Sequence, residues 1–544
     1  MPPHDPTPAD ASPWHLVLDD HALARITGLD RVVHHPRALG LVIPADRPWE
    51  TAGVAPLLVD RREDGSFFAY YTAMWWDIDS AAALPDNFRN DRAHHIFQRI
   101  GYATSDDGLH WQKPHLGLVE APAGVDWRRH APYPSPQGTT RENNLGVPFV
   151  VVADLGRHGN VRDPAKRYAL RLAADEASGV GAAWTQAPAG FFAGALPDFL
   201  NDPAWREKLA AVEGSFNPRR RVLHFRDDLH DEWVAMDQGV VGHWLPSREI
   251  ARFASKDLVH WRSQAALYPD AADPHDPQCY DEPMSLTPFC AEGVVFGLLP
   301  WFHSDRTHPE GGPNLQASPE HPEVWPWCRK GTCEMRITLS RDGGITWDRT
   351  SSREAWIPHG TEQDSYDRLV IGPLPPVRVG DEDWFYMDVI NGDHLGIRND
   401  PERSLYYHDR LPRHQVALYV QKRNRYVSLT ARNQPEVLIT RPLDVTGGAL
   451  HLNVDAGRGE VRVGIAAADP VLTFDESTPS TAPHLLENRL LPGFTFDDCE
   501  PVRADRVEHT VRFEGGAGLD ALRGRSVCLL FRMVDADLYG FRIA

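Results

Sequence analysis

A short segment occurs three times in this chain, and it limits what the rest can fold into. Arg336-Ile-Thr-Leu-Ser-Arg-Asp-Gly-Gly-Ile-Thr-Trp347 reads as strand, tight turn and aromatic, with Ser340, Asp342, Gly344 and Trp347 spelling S-x-D-x-G-x-x-W. An Asp side chain bonds its own backbone in a turn, Gly accepts positive φ, and Trp caps the hairpin with apolar area. A version one residue shorter runs Gly101-Tyr-Ala-Thr-Ser-Asp-Asp-Gly-Leu-His-Trp111. A third, Ala251-Arg-Phe-Ala-Ser-Lys-Asp-Leu-Val-His-Trp261, has lost the glycine. Each copy ends an alternating strand and follows another strand pair, the signature of a repeat architecture.

The grammar around the copies predicts five units of four strands. Unit one pairs Gly53-Val-Ala-Pro-Leu-Leu-Val-Asp with Ser66-Phe-Phe-Ala-Tyr-Tyr-Thr-Ala across a polar turn and ends at Trp111. Unit two contains Leu145 to Asp154, Arg167 to Ala173 and Gly181 to Trp184. Unit three contains Gly214 to Asn217, Arg221 to Arg226 and the Trp261 hairpin. Unit four contains Met284 to Phe289, Gly293 to His303 and the Trp347 hairpin. Unit five contains Leu369 to Leu374, Asp383 to Val389, Gln415 to Gln421 and Tyr426 to Leu429. Helical periodicity is confined to an insertion at Pro203 to Val212. From about Pro435 the strands alternate cleanly, as in Gly448-Ala-Leu-His-Leu-Asn-Val-Asp and Ser526-Val-Cys-Leu-Leu-Phe-Arg-Met. The expected fold is all-β: a five-bladed β-propeller over residues 1–434, with an N-terminal extension, followed by a β-sandwich over 435–544. A stack of sandwiches is the alternative.

Charge narrows the partners. Lys and Arg total 56 against 76 Asp and Glu, a net charge of −20. Such a surface repels phosphate backbones and anionic lipid, so nucleic acid and membrane are not expected partners, whereas neutral sugars are compatible. No run reaches transmembrane length, and the first residues carry neither a basic nor an apolar leader segment, which predicts a cytoplasmic location. Six cysteines, with Cys328 and Cys333 close together and the other four scattered, predict reduced thiols.

In a propeller, loops preceding the innermost strands converge on one mouth of the central funnel. Acids precede that strand in every unit: Glu50, Glu142, Glu213, Asp281 with Glu282, and Asp364 with Asp367. Paired carboxylates suit glycosidic bond cleavage, where one protonates the leaving oxygen and the other attacks or activates water. Trp49, Trp75, Trp76, Trp301, Trp325 and Trp327 lie near these loops as candidate stacking faces. His303 and His394 follow inner strands and could bond a sugar hydroxyl. Asp163, in Val161-Arg-Asp-Pro164, falls in the turn between the first two strands of unit two, which faces away from the funnel. There is no zinc-ligand spacing, phosphate-binding glycine loop, dinucleotide fingerprint or nucleophile elbow, so no cofactor or metal is expected.

Five β units followed by a C-terminal sandwich resemble the superfamily of glycoside hydrolase families 32 and 68 and families 43 and 62, and most resemble bacterial family-32-like proteins. The residues carrying the likeness are Gly101 to Pro114, Asp257-Leu-Val-His-Trp261, Gly297-Leu-Leu-Pro-Trp-Phe-His303, Leu450 to Asp455 and Gly493 to Cys499. Where family 32 carries its Asn-Asp-Pro-Asn-Gly nucleophile motif, this chain has Trp49-Glu-Thr-Ala-Gly53, so Glu50 would stand for the Asp. The family's Glu-Cys motif is absent, Glu213 being followed by Gly214. The resemblance implies a glycosidase acting on a furanoside or related sugar.

The expected function is therefore glycoside hydrolysis, with Glu50 as nucleophile or base, Asp281 or Glu282 as acid, and Asp364 or Asp367 tuning or orienting. A non-catalytic carbohydrate-binding propeller and a sialidase-like enzyme are the rivals. The first predicts acids locked in ion pairs, and the second six blades and an arginine triad.

Overall fold

In the computed structural model the chain is described over residues 12–47, 49–50, 52–76, 96–115, 145–148, 150–172, 191–193, 223–238, 249–258, 260–267, 282–304, 331–351, 353–362, 365–392, 413–468, 489–516 and 518–544. It is all-β, with one four-residue α-helix and a few 3-10 turns among the described residues. The helix expected at 203–212 lies outside them.

Successive antiparallel units broadly follow the repeat, except that Leu145–Pro148, expected in unit two, pairs with Ile96–Ser105 and closes unit one. Unit one orders Gly53–Arg61, Phe67–Trp76, Ile96–Ser105 and Leu145–Pro148 side by side. Unit two has Val150–Asp154, Tyr168–Leu172 and Phe191–Ala193. Unit three has Phe225–Asp227, Glu232–Gln238, Ile250–Ser255 and Arg262–Leu267. Unit four sets Glu282–Pro283 and Thr287–Ala291 on Val294–Ser304, which pairs with Gly331–Ser340. Unit five sets Leu369–Pro373 and Val377–Val379 on Glu382–Ile390, which pairs with His414–Lys422.

The fourth strand of unit five differs from expectation. Arg37–Ile43, from the start of the chain, lies antiparallel on His414–Lys422. Val427–Ala431 instead joins the C-terminal sheets, pairing with Asp30–Val33 and Ala536–Ile543. The reason is reach: Tyr426 follows His414–Lys422 after only a three-residue turn, and its ring is already buried against Phe296, Trp356 and Phe385 of units four and five.

The C-terminal strands form a six-stranded and a five-stranded sheet, and both take in N-terminal strands. His15–Leu16 pairs with Ala536–Ile543, and Leu23–Thr27 with Glu436–Thr440. Val17, Ala22 and Leu23 are buried in the sandwich core with Leu429, Leu452 and Phe531, whereas Trp14, Leu16 and Leu18 are buried with Phe296, Ile337 and Trp356 of unit four. Burial of Trp14 to Leu18 thus follows the two-residue period of an extended segment packed on both faces.

The repeated hairpins show why the motif recurs. Gly108 N–H donates to Ser105 Oγ at 2.9 Å, and the backbone N–H groups of Leu109 and His110 both donate to Asp107 Oδ1 at 2.8 Å. Trp111 Nε1 donates to the Gly108 carbonyl at 3.0 Å. Ser340, Asp342, Gly344 and Trp347 repeat these bonds. So do Ser255, Asp257, Leu258 and Trp261. In that third copy Leu258 sits at φ 63°, its side chain against the apolar cluster of Leu155, Val161 and Leu223.

Among the described residues no helix is long and apolar enough to cross a membrane. Among the described residues Cys290, Cys333, Cys499 and Cys528 form no disulfide with one another.

Candidate functional site

A row of paired residues ties together the starts of the first strands of units one, five and four. Gly53 lies parallel to His414, which faces Ile390, which faces Leu369. Leu369 lies parallel to Cys333, which faces Phe302, which faces Glu282. The close approach of units five and one depends on Gly53: a Cβ there would come within 2.0 Å of the His414 carbonyl oxygen. Glu50, Glu282 and Asp367 therefore stand at the same end. Asp281, Asp364, Glu213 and His394 lie outside the described residues.

Further along these strands, a cavity of about 140 Å³ is lined by residues of all five units: 56–59, 153–154 with 158, 224 with 236–237, 285–288, and 371–375. Its walls are mostly apolar, with His158 and His224 among the lining groups. His224 Nδ1 accepts the Met236 N–H at 3.0 Å, so the neutral ring carries its proton on Nε2. Burial holds His224 down at about 4. It also holds His158 down at about 3, where the opposing pull of Asp154 is countered by Arg157, Arg378 and Arg167.

Glu50 is sealed. Its side chain is 0% exposed, as close to dry as Lys113 at 2%. Oε2 accepts from Lys113 Nζ at 2.6 Å and from the N–H groups of Asp46 and Arg47 at 3.0 and 3.1 Å. Oε1 accepts the Tyr71 hydroxyl at 2.9 Å. Gly101 makes room for this bond, since a Cβ there would meet the Tyr71 ring at 2.2 Å. Lys113 also lies over the Tyr71 ring, 5.0 Å from its centre. Glu50 is thus a buried anion with four donors, which anchors residues 44–50 to the tail of the first hairpin.

The other candidates differ in access. Glu282 is fully buried, whereas Asp367 is half-buried and accepts the Ser365 hydroxyl. Trp49 is buried with Val54 and Tyr71. Trp75 and Trp76 close the strand Phe67–Trp76, opposite Phe97 and Ile96. Trp301 is fully buried, with the Arg336 and Arg349 guanidinium groups 4.5 and 4.7 Å from its ring centre. It is a core residue with cations on its ring and offers no face to a sugar, which corrects the stacking role expected of it.

Two groups at this end were not anticipated from sequence. Asp388 and His414 form a buried pair, His414 Nδ1 lying 2.8 and 2.9 Å from the two carboxylate oxygens. Glu334 accepts from Arg336 Nε at 2.6 Å on one oxygen and lies 3.1 Å from His303 Nε2 on the other. Burial pulls the Glu334 carboxyl upward, yet the bonds from His303 and Arg336 outweigh it and leave it below the ordinary value. Nothing in the sequence marks Glu334, because a mid-strand Glu alternating with Arg336 carries no turn or spacing signal and its contact with His303 needs the strands to pair. Among the described residues no group of three or more His, Cys, Asp or Glu is placed to hold a metal ion.

Asp163 caps a 3-10 turn, accepting the Ala165 N–H at 3.0 Å. It lies between the first and second strands of unit two, away from the end that carries Glu50.

No family model matches this chain, and no curated protein matches it. Solved structures do align with it. A β-1,2-mannobiose phosphorylase from Listeria innocua, in complex with β-1,2-mannobiose, is 12% identical over 75% of this chain and 96% of its own, with a TM-score of 0.36. A glycosyl hydrolase from Bacteroides ovatus is 12% identical over 73% and 95%, with a TM-score of 0.32. A family 43 arabinoxylan arabinofuranohydrolase from Bacillus subtilis, in complex with cellotetraose, is 10% identical over 94% and 96%, with a TM-score of 0.25.

Proposed function

We propose that the chain is a five-bladed β-propeller glycoside hydrolase with a sandwich domain, acting on a carbohydrate at the mouth where the first strands begin. Two observations support this: Glu50, Glu282 and Asp367 stand at a common end of the first strands, and residues from all five units line one cavity. Radial packing of five units explains why segments more than three hundred residues apart share one cavity. Carboxylates gathered from separate units are what acid and base roles at a glycosidic oxygen require. We further propose a furanoside as substrate, on the resemblance to family-32-like proteins, and a two-domain division in which residues 15–33 complete the C-terminal sandwich. The test is turnover of a panel of 4-nitrophenyl furanosides and pyranosides, with Glu282→Gln and Asp367→Asn as variants. Loss of at least a hundredfold in kcat in one of them supports the assignment, and wild-type rates in both remove it.

One observation favours the second reading, a carbohydrate-binding propeller without catalysis. Glu50 is locked by Lys113, Tyr71 and two backbone donors, the arrangement a structural anion takes. Calorimetric binding of the same glycosides without turnover would decide for it.

A further inference from the structure

An acid at the mouth with both access and spare bonding capacity is one that no loop position marks. Glu334 has a side-chain exposure of 13%, against 0% for Glu50. Two donors reach its carboxylate, Arg336 Nε and His303 Nε2, one on each oxygen. A carboxylate offers about four acceptor directions, so roughly half remain. Glu50, by contrast, meets four donors in a dry site.

The surroundings fix Glu334 in place. Arg336 is itself buried, and its guanidinium lies 4.5 Å from the centre of the fully buried Trp301 ring. Glu334 faces Trp301 across the sheet, and His303 faces Thr332 two positions on, so both side chains stand on the same side of unit four. His303 is 28% exposed, and the His359 ring centre lies 6.3 Å from its own. A fixed carboxylate beside an accessible imidazole matches a vicinal pair of hydroxyl groups, with the carboxylate accepting from one and the imidazole bonding the other. Glu282 is on the opposite side of the same sheet, since it faces Phe302. The two acids of unit four therefore serve different surfaces.

We propose that Glu334 and His303 form a hydroxyl-binding subsite at the unit-three side of the mouth, taking two adjacent hydroxyls of a sugar ring, with Arg336 as the positioning residue. This rests on the carbohydrate reading above and adds a specificity determinant to it. A charge-assisted hydrogen bond to a sugar hydroxyl predicts a loss of at least about tenfold in affinity when the carboxylate is removed.

The test uses the full chain, with 4-nitrophenyl glycosides as substrates and the matching methyl glycosides and their monodeoxy forms as calorimetric ligands. Glu334→Ala is expected to raise KM and the Kd of the parent methyl glycoside at least about tenfold, with kcat within about threefold. One monodeoxy glycoside should bind wild type as weakly as the parent binds Glu334→Ala, and should lose nothing further in the variant. A purely structural role would weaken all the sugars alike. If Glu334→Ala fails to fold, Glu334→Gln keeps the shape and carries the same comparison. Parent and deoxy sugars binding the variant as they bind wild type, or a kcat loss at unchanged KM, overturns the subsite and leaves the hydrolase reading standing. Wild-type binding without turnover overturns hydrolysis alone, and the deoxy comparison still decides Glu334. Neither binding nor turnover of any glycoside overturns both.

Discussion

Lys113 Nζ lies 2.6 Å from Glu50 Oε2, in a site that excludes water from both side chains. A buried pair of this kind is more informative when broken than when intact, because removing one member strands the other's charge or hydrogen-bonding groups. Glu50→Gln and Lys113→Met are each expected to cost about 3–5 kcal/mol in urea unfolding. The double variant should cost clearly less than the sum of the two. Singles within about 1 kcal/mol of wild type would show that the pair does not hold residues 44–50.

The three hairpins differ in how they treat the left-handed position. Gly108 has φ 75°, and a Cβ there would meet the Tyr386 hydroxyl at 2.7 Å and the Trp384 ring at 2.9 Å. The Tyr386 hydroxyl also donates to the Gly108 carbonyl at 2.9 Å, so it has little freedom to move aside. Gly108→Ala is expected to destabilise by about 2 kcal/mol or more, the left-handed penalty plus displacement of two packed rings. At Leu258 the same backbone strain is offset by side-chain packing, so Leu258→Gly should change stability by less than about 1 kcal/mol. Equal effects at the two positions, read by thermal unfolding, would refute this account.

These hairpins also show what sequence could reveal. Ser, Asp, Gly and Trp act through local bonds, so Ser105 to Trp111 and Ser340 to Trp347 are legible as spacing. A continuous apolar run likewise marks Val294–Ser304, and an alternating one Ser526–Val534. What stayed hidden depends on partners distant in sequence. Arg37–Ile43 carries no sign that it will close unit five, because its partner begins at His414. Nothing in Trp49-Glu-Thr-Ala-Gly53 shows that Lys113 will neutralise Glu50, and nothing in a run ending Leu-Leu-Pro-Trp301 shows that two arginines will cover the indole. Glu334 was missed for the same reason: its exposure and its His303 contact exist only once two strands are paired.

Asp163 offers a control on the distinction between chemistry and turn formation. Its carboxylate caps the 3-10 turn Pro164–Lys166 from an exposed position. Asp163→Ala is expected to cost about 1 kcal/mol, the usual loss of a cap, and to leave carbohydrate binding and turnover at wild-type levels. A large drop in kcat with unchanged stability would make Asp163 a candidate acid.

The central cavity makes stability depend on acid. Burial lowers His158 to about 3 and His224 to about 4 in the folded chain, and an unfolded histidine titrates near its ordinary 6.5. Above about pH 6.5 both states are neutral at these positions, and neither histidine affects folding. As pH falls below that value the unfolded chain takes up protons that the folded chain refuses, so stability declines. The loss continues to about pH 4 for His224 and about pH 3 for His158, with a limiting slope of about 1.4 kcal/mol per pH unit for each ring. His224→Asn keeps an acceptor for the Met236 N–H but cannot be protonated in this range. Its unfolding free energy, measured from pH 7.5 to 4.5, should therefore fall less steeply than that of wild type. Parallel curves would mean that His224 is as free to protonate in the folded chain as in the unfolded one, and that the cavity is wetter than its apolar walls imply.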